Sequence, residues 1–276
     1  MTLLFRFLSM LPLAGMQAVG WVLGWLVFVL SATYRRRFLA HVRQAGCGAA
    51  QWRSAVGAAG QLVAELPRLW LGRPVPLVWD GASHIETALA RGRGIVFLTP
   101  HMGCFEITAQ AYAQRFGGQQ PMTVLFRPAR QPWLRALMAT ARHRPGLHTV
   151  PTTMAGVKQL LKVLRQGQSV GLLPDQVPPL GLGVWAPFFG QPAYTMTLSA
   201  RLAQQTGATV LLAWGERLSW GRGFGIHVRP LGVDLPADVT AAASVINQAM
   251  EQLIRECPQQ YLWGYARYKQ PREEQR

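Results

Sequence analysis

Acid is the scarcest chemistry in this 276-residue sequence. Twelve Asp and Glu stand against 28 Lys and Arg, a net charge of +16. Charged residues of both signs make up 14% of the chain and apolar residues 50%, whereas an ordinary soluble domain carries roughly 25% charge. That balance points to a membrane-associated protein with anionic partners: lipid, acidic protein or nucleic acid. Nucleic acid finds no second support, because zinc-ligand spacing, an aromatic-and-basic ribonucleoprotein stretch and a long basic tail are all missing. Cysteine is scarce as well. Cys47, Cys104 and Cys257 are odd in number and scattered, with no C-x-x-C. This excludes a disulfide scaffold and a cysteine metal site, and fits reduced thiols. The sequence also has no internal repeat, low-complexity segment or linker, and its length suffices for one large core.

Charge disappears altogether from Phe7 to Thr33. About 20 apolar residues cross a bilayer, so this stretch is long enough to span one. Pro12, Gly15 and Gly20 also allow a broken or re-entrant helix, or one lying flat on a single leaflet. Tyr34-Arg35-Arg36-Arg37, then His41 and Arg43, follow directly. The positive-inside rule keeps such a cluster cytoplasmic. A cleaved signal peptide fits less well, since arginines stand where cleavage needs small neutral residues. The expected organisation is an N-terminal membrane anchor over residues 1–34 and one domain over 35–276.

Within that domain, apolar runs of strand length alternate with stretches of helical period. Strands are expected at 95–99, 122–126, 148–150, 169–173, 209–214 and 224–228. Helices are expected at 51–66, 83–90, 107–116, 132–142, 154–166, 197–205 and 239–255. Alternation of this kind predicts a single α/β domain with a largely parallel central sheet flanked by helices. Trp185 to Gly190, then Pro192-Ala193 and Thr195, reads as a rigid apolar loop before a helix.

His101-Met102-Gly103-Cys104-Phe105-Glu106 follows the first of the central strands. His101 falls on a strand-to-helix loop and Glu106 in the first helical turn. There a carboxylate can accept a hydrogen bond from one imidazole nitrogen and leave the other as a base, with the nucleophile brought by the substrate. A His and a Glu at this spacing are common, so the pair alone decides little. Four other segments add to it. Arg127 closes a strand, where α/β sheets place their chemistry, and Arg142 and Arg144 end the helix after it. Asp175 and Gln176 end another strand before a proline-rich turn. Phe188 and Phe189 read as core. His84, His143, His148 and His227 lack acidic partners at useful spacing and read as structural.

In combination these motifs resemble the lipid A biosynthesis late acyltransferases, within the lysophospholipid acyltransferase group. The resemblance rests on His101 and Glu106 with four residues between, on Phe126-Arg127-Pro128, on Pro174-Asp175-Gln176 and on Val184-Trp185-x-Pro187-Phe188-Phe189-Gly190. It runs from the anchor to Trp263. It implies that His101 is the catalytic base with Glu106 as its partner, and that Arg127, Arg142, Asp175 and Gln176 contact substrate. It also implies an acyl thioester on acyl carrier protein as donor, an anionic glycolipid hydroxyl as acceptor, the inner membrane as location, and no metal or redox cofactor. Backbone amides around Gly103 are the expected oxyanion donors, assisted by Arg127 or Arg142. Cys104 reads as a small buried thiol, not a nucleophile. Near the end the chain departs from the family's Trp-x-His-Arg-Arg block and has Trp263-Gly264-Tyr265-Ala266-Arg267. That departure leaves a lysophospholipid or amino-acid lipid acceptor open, beside a non-catalytic lipid-binding role.

Overall fold

The computed structural model describes residues 2–126, 129, 131–142 and 144–273. Five helices come first: α1 (Thr2–Met10), α2 (Leu13–Leu30), α3 (Ala32–Gln44), α4 (Ala49–Ala64) and α5 (Leu66–Leu71). Then strands and helices alternate: β1 (Leu77–Asp80), α6 (Ala82–Ala90), β2 (Ile95–Leu98), α7 (Phe105–Phe116), β3 (Met122–Phe126), α8 (Pro132–Arg142), β4 (Leu147–Pro151), α9 (Met154–Arg165) and β5 (Ser169–Leu172). The chain closes with β6 (Gly183–Phe188), β7 (Gln191–Met196), α10 (Leu198–Thr206), β8 (Thr209–Arg217), β9 (Phe224–Pro230) and α11 (Val239–Glu256).

Seven strands form one sheet in the order β1-β9-β8-β2-β5-β3-β4. Every neighbouring pair is parallel except β8 with β9. The strands at its centre are apolar on both faces because helices cover both. Ile95 and Phe97 of β2 pack with Ile85, Tyr112 and Phe116 of α6 and α7. Val96 and Leu98 pack on the other face with Leu160 of α9, Leu202 of α10 and Ile246 of α11.

One local reading changes and one open alternative is decided. The expected rigid loop after Trp185 is an antiparallel hairpin of β6 and β7, with Ala186 opposite Ala193. Proline obscured it, since Pro187 and Pro192 face each other and strand proline normally argues against a strand. The charge-free N-terminal stretch is broken before Leu13: α1 ends at Met10 and α2 starts after Pro12. Both helices lie against the rest of the chain. Gly24 of α2 meets Gly60 of α4 so closely that a Cβ on either would strike the partner's backbone.

Candidate active site

The central strands β2 and β5 pair in parallel with Leu98 opposite Leu172, and Thr99 N–H extends the ladder to the Leu172 carbonyl at 3.0 Å. Each chain then leaves the sheet at its carboxyl end, where open α/β sheets gather their ligands. Three residues further on stand His101 and Asp175. His101 Nδ1 lies 2.7 Å from Asp175 Oδ1, and the His101 backbone N–H donates to Oδ2 at 2.9 Å. Asp175 is 1% exposed. Burial works to raise its carboxyl, but the charge and hydrogen bonds of His101, with Arg267 beyond, hold it below the ordinary carboxylate value. An ionised acceptor on Nδ1 fixes that nitrogen as the protonated one and leaves Nε2 with its lone pair. Gln176 places its amide nitrogen 3.0 Å from Nε2.

The carboxylate that orients the imidazole is thus Asp175, and not Glu106 as the spacing suggests. Glu106 sits in the first turn of α7 and accepts from Trp70 Nε1 at 3.4 Å. His101, Glu106 and Gln176 all line one cavity of about 780 Å3. Its lining includes Thr108, Ala109 and Tyr112 of α7 and the sheet residues Val124, Gly171 and Ala213. A largely apolar cavity of this size with polar groups among its lining is the usual form of a ligand site.

The loop that carries His101 is locked from several sides. Gly103 has φ +57, and a Cβ there would run into the Gly215 carbonyl oxygen. Its N–H donates to the Gln260 carbonyl at 2.9 Å, and the Cys104 N–H donates to Gly215 at 2.8 Å. Those two amides are spent on the fold and do not serve as the expected oxyanion donors. Arg217 Nη2 donates to the Gly103 carbonyl and makes a two-pronged pair with Glu65. Cys104 is wholly buried, and burial followed by the Glu65 charge pushes its thiol well above the ordinary value. It is no nucleophile.

Arg127 lies outside the described residues. Arg142 ends α8, and its side chain likewise lies outside what is described. Sequence reasoning missed three residues that hold the site. Tyr261 is buried beside Asp175, and burial and then that charge raise its phenol well above an ordinary tyrosine. Tyr265 accepts from the Val177 N–H at 3.0 Å and so ties down the Asp175–Gln176 turn. Arg267 donates to the Tyr194 carbonyl and Thr195 Oγ1 of β7 at 2.8 and 2.7 Å. All three come from the C-terminal block in or next to the departure from the family pattern, so the block holds the site from behind. His227 also differs from its reading: its two ring nitrogens meet Asp80 and Glu216 at 3.0 and 2.9 Å.

Residues 62–270 match the family described as bacterial lipid A biosynthesis acyltransferase. The chain is 28% identical over 191 residues to the lipid A biosynthesis lauroyltransferase of Escherichia coli, a match covering 68% of this chain and 60% of that protein. It is 27% identical to a lipid A biosynthesis acyltransferase of Haemophilus influenzae, covering 66% and 56% respectively. A phosphatidylinositol mannoside acyltransferase of Mycobacterium tuberculosis is 28% identical over 68% of this chain and 58% of its own length. The chain therefore spans somewhat over half the length of the curated relatives it matches. With three-quarters of its length inside the family match, this chain belongs to the bacterial lipid A biosynthesis acyltransferase family.

Proposed function

We propose that this protein transfers a fatty acyl chain from a carrier-protein thioester to a hydroxyl of a phosphorylated glycolipid, a lipid A precursor, at the cytoplasmic face of the inner membrane. One observation carries the reading: an imidazole held at Nδ1 by a buried ionised carboxylate, in the wall of a largely apolar cavity. The cavity takes the acyl chain and brings the thioester carbonyl to His101 and Gln176 in its wall. A lipid hydroxyl is too weak a nucleophile to attack unaided, so His101 Nε2 takes its proton as the C–O bond forms. Asp175 stabilises the imidazolium that results. The acceptor hydroxyl displaces the Gln176 amide from Nε2. That amide, with its donor hydrogens now free and still within reach, turns to the tetrahedral oxyanion. Collapse breaks the C–S bond, and the imidazolium returns the proton to the departing thiolate. Glu106 stands in the same cavity wall.

The charge distribution suits the two substrates. Residues 107–174 contain no Asp or Glu and nine Lys or Arg. Lys158, Lys162 and Arg165 are exposed along one side of α9, while Val157 of the same helix lines the cavity. An acidic carrier protein docking there delivers its thioester to the cavity by charge complementarity. The relatives named for lipid A and for phosphatidylinositol mannoside both point to phosphorylated glycolipid acceptors.

The test is acyl transfer by the detergent-purified full chain, followed by mass spectrometry of the acceptor lipid. A mass gain of one acyl chain is expected, lost with His101→Ala while the protein still folds. Equal product from the His101→Ala variant eliminates the proposed chemistry.

A further inference from the structure

We propose that α1 and α2 form a platform lying in the plane of one membrane leaflet, with no helix crossing the bilayer. This deepens the membrane-bound reading above and rests on it. By length and composition α2 passes for a span: 18 residues, only a third of them buried. What surrounds it speaks for another placement.

Both ends of α2 are fastened to the same body. Before its start, α1 packs on α5, with Phe5 stacked on Trp70 at 6.2 Å and Arg68 donating to the Ser9 carbonyl at 3.1 Å. Trp70 in turn donates to Glu106, so a single side chain of α5 separates α1 from the cavity wall. After its end, Phe28 packs on Phe38 and Trp52, and His41 of α3 reaches the Trp263 carbonyl at 2.8 Å. A spanning α2 would leave α1 and α3 on opposite sides of the membrane, yet both touch the domain that holds His101.

The middle of α2 is fastened too. It runs antiparallel to α4, with Gly20 against Gln61, Gly24 against Val56 and Gly60, and Trp21 over Gly57. Gln17 donates to Glu65 within the buried pair with Arg217, and accepts from the Gly221 N–H. If α2 crossed the bilayer, α4 with its exposed Arg53 and the Glu65–Arg217 pair would enter the hydrocarbon with it. Charged side chains at that depth are costly. Lying flat, α2 sinks only its outward face.

That outward face is apolar all along α2, and on α1 it carries one cation, the exposed Arg6. Val22, Leu26 and Val29 are exposed on α2, and Leu3, Phe7 and Met10 on α1. Trp220 is 89% exposed, in a left-handed turn (φ +62) whose neighbour Gly221 abuts Ala14 of α2. An indole there suits the membrane–water boundary. The sequence contains no acid before Glu65, and Arg35 to Arg37 follow α2 directly. An apolar face rimmed by cations and free of acids is complementary to an anionic leaflet.

Protease protection of the full chain tagged at both termini tests the placement in spheroplasts and in inverted membrane vesicles. Both tags are expected to be cut only in inverted vesicles; tags cut from opposite sides overturn the proposal. A second variant, Val22→Asp with Leu26→Asp, changes the outward face without touching the α4 contacts. It is expected to move at least half of the protein into the supernatant of an alkaline carbonate wash, while keeping acyl transfer to detergent-dispersed acceptor. Unchanged retention in the pellet also counts against the platform. Since transfer to dispersed acceptor is scored separately, either failure leaves the chemistry of His101 standing, and failure of that chemistry leaves the platform standing.

Discussion

His101 and Asp175, 74 residues apart in the chain, each lie three residues beyond the register pair Leu98 and Leu172 of two neighbouring parallel strands. The register of the sheet brings base and carboxylate to 2.7 Å. Asp175→Asn keeps the shape but offers an amide donor to Nδ1, which forces the proton onto Nε2 and removes the base. Activity in the acyl-transfer assay should fall by about 10²–10⁴-fold. Glu106→Gln, which leaves that hydrogen bond in place, should cost less. The reverse ranking would return the orienting role to Glu106.

Asp175 also makes a pH prediction. Its carboxyl is held below the ordinary value despite burial, so its contribution to stability is fully present above the unfolded value of about 3.9. It is lost as pH falls through the lower folded value. Wild type should therefore lose thermal stability from about pH 4 downward more steeply than Asp175→Asn. Parallel curves of melting temperature against pH would show that Asp175 is not ionised in the fold.

Gln176→Met is close in volume and donates no hydrogen bond. A catalytic amide predicts a kcat lower by about 10²–10³-fold, the scale of one oxyanion donor, with little change in KM for the acyl donor. An unaltered kcat would reduce Gln176 to a cap on the resting imidazole.

Gly171 of β5 lines the cavity, and a Cβ there would sit 3.0 Å from Val124 Cγ1 and 3.5 Å from Met122 Sδ. A larger side chain must project into the space assigned to the acyl chain. Gly171→Leu should shift preference toward shorter acyl thioesters in a competition assay while sparing turnover of the shortest. Uniform loss across all chain lengths would mean that the acyl chain lies elsewhere.

Glu65 and Arg217 are almost fully buried, paired at 2.6 and 2.8 Å. Glu65→Gln leaves the guanidinium uncompensated and should cost about 3–5 kcal/mol, measured by chemical denaturation. Replacing both with Met should recover much of that stability. It should not recover activity, because Arg217 also holds the Gly103 carbonyl of the His101 loop.

Much of this protein was legible in one dimension because its signals are local. Strand-length apolar runs and helical periods set the order of elements, and the charge-free stretch marked the apolar helix α2. The sharp breaks around His101 and Asp175 marked both as strand-end residues. The partner of His101 was misread because Glu106 is near in sequence, whereas Asp175 is near only once β2 and β5 pair in register. A helix start aims its first-turn side chains by its own axis; sheet pairing alone decides which distant loop faces them. The hairpin of β6 and β7 is local and was hidden by its prolines, whereas Asp80 on His227 and the tyrosines behind Asp175 depend on long-range pairing. So does the setting of α2: its composition allows a span, and only its packing against α4, between α1 and α3, ties both its ends to the same body.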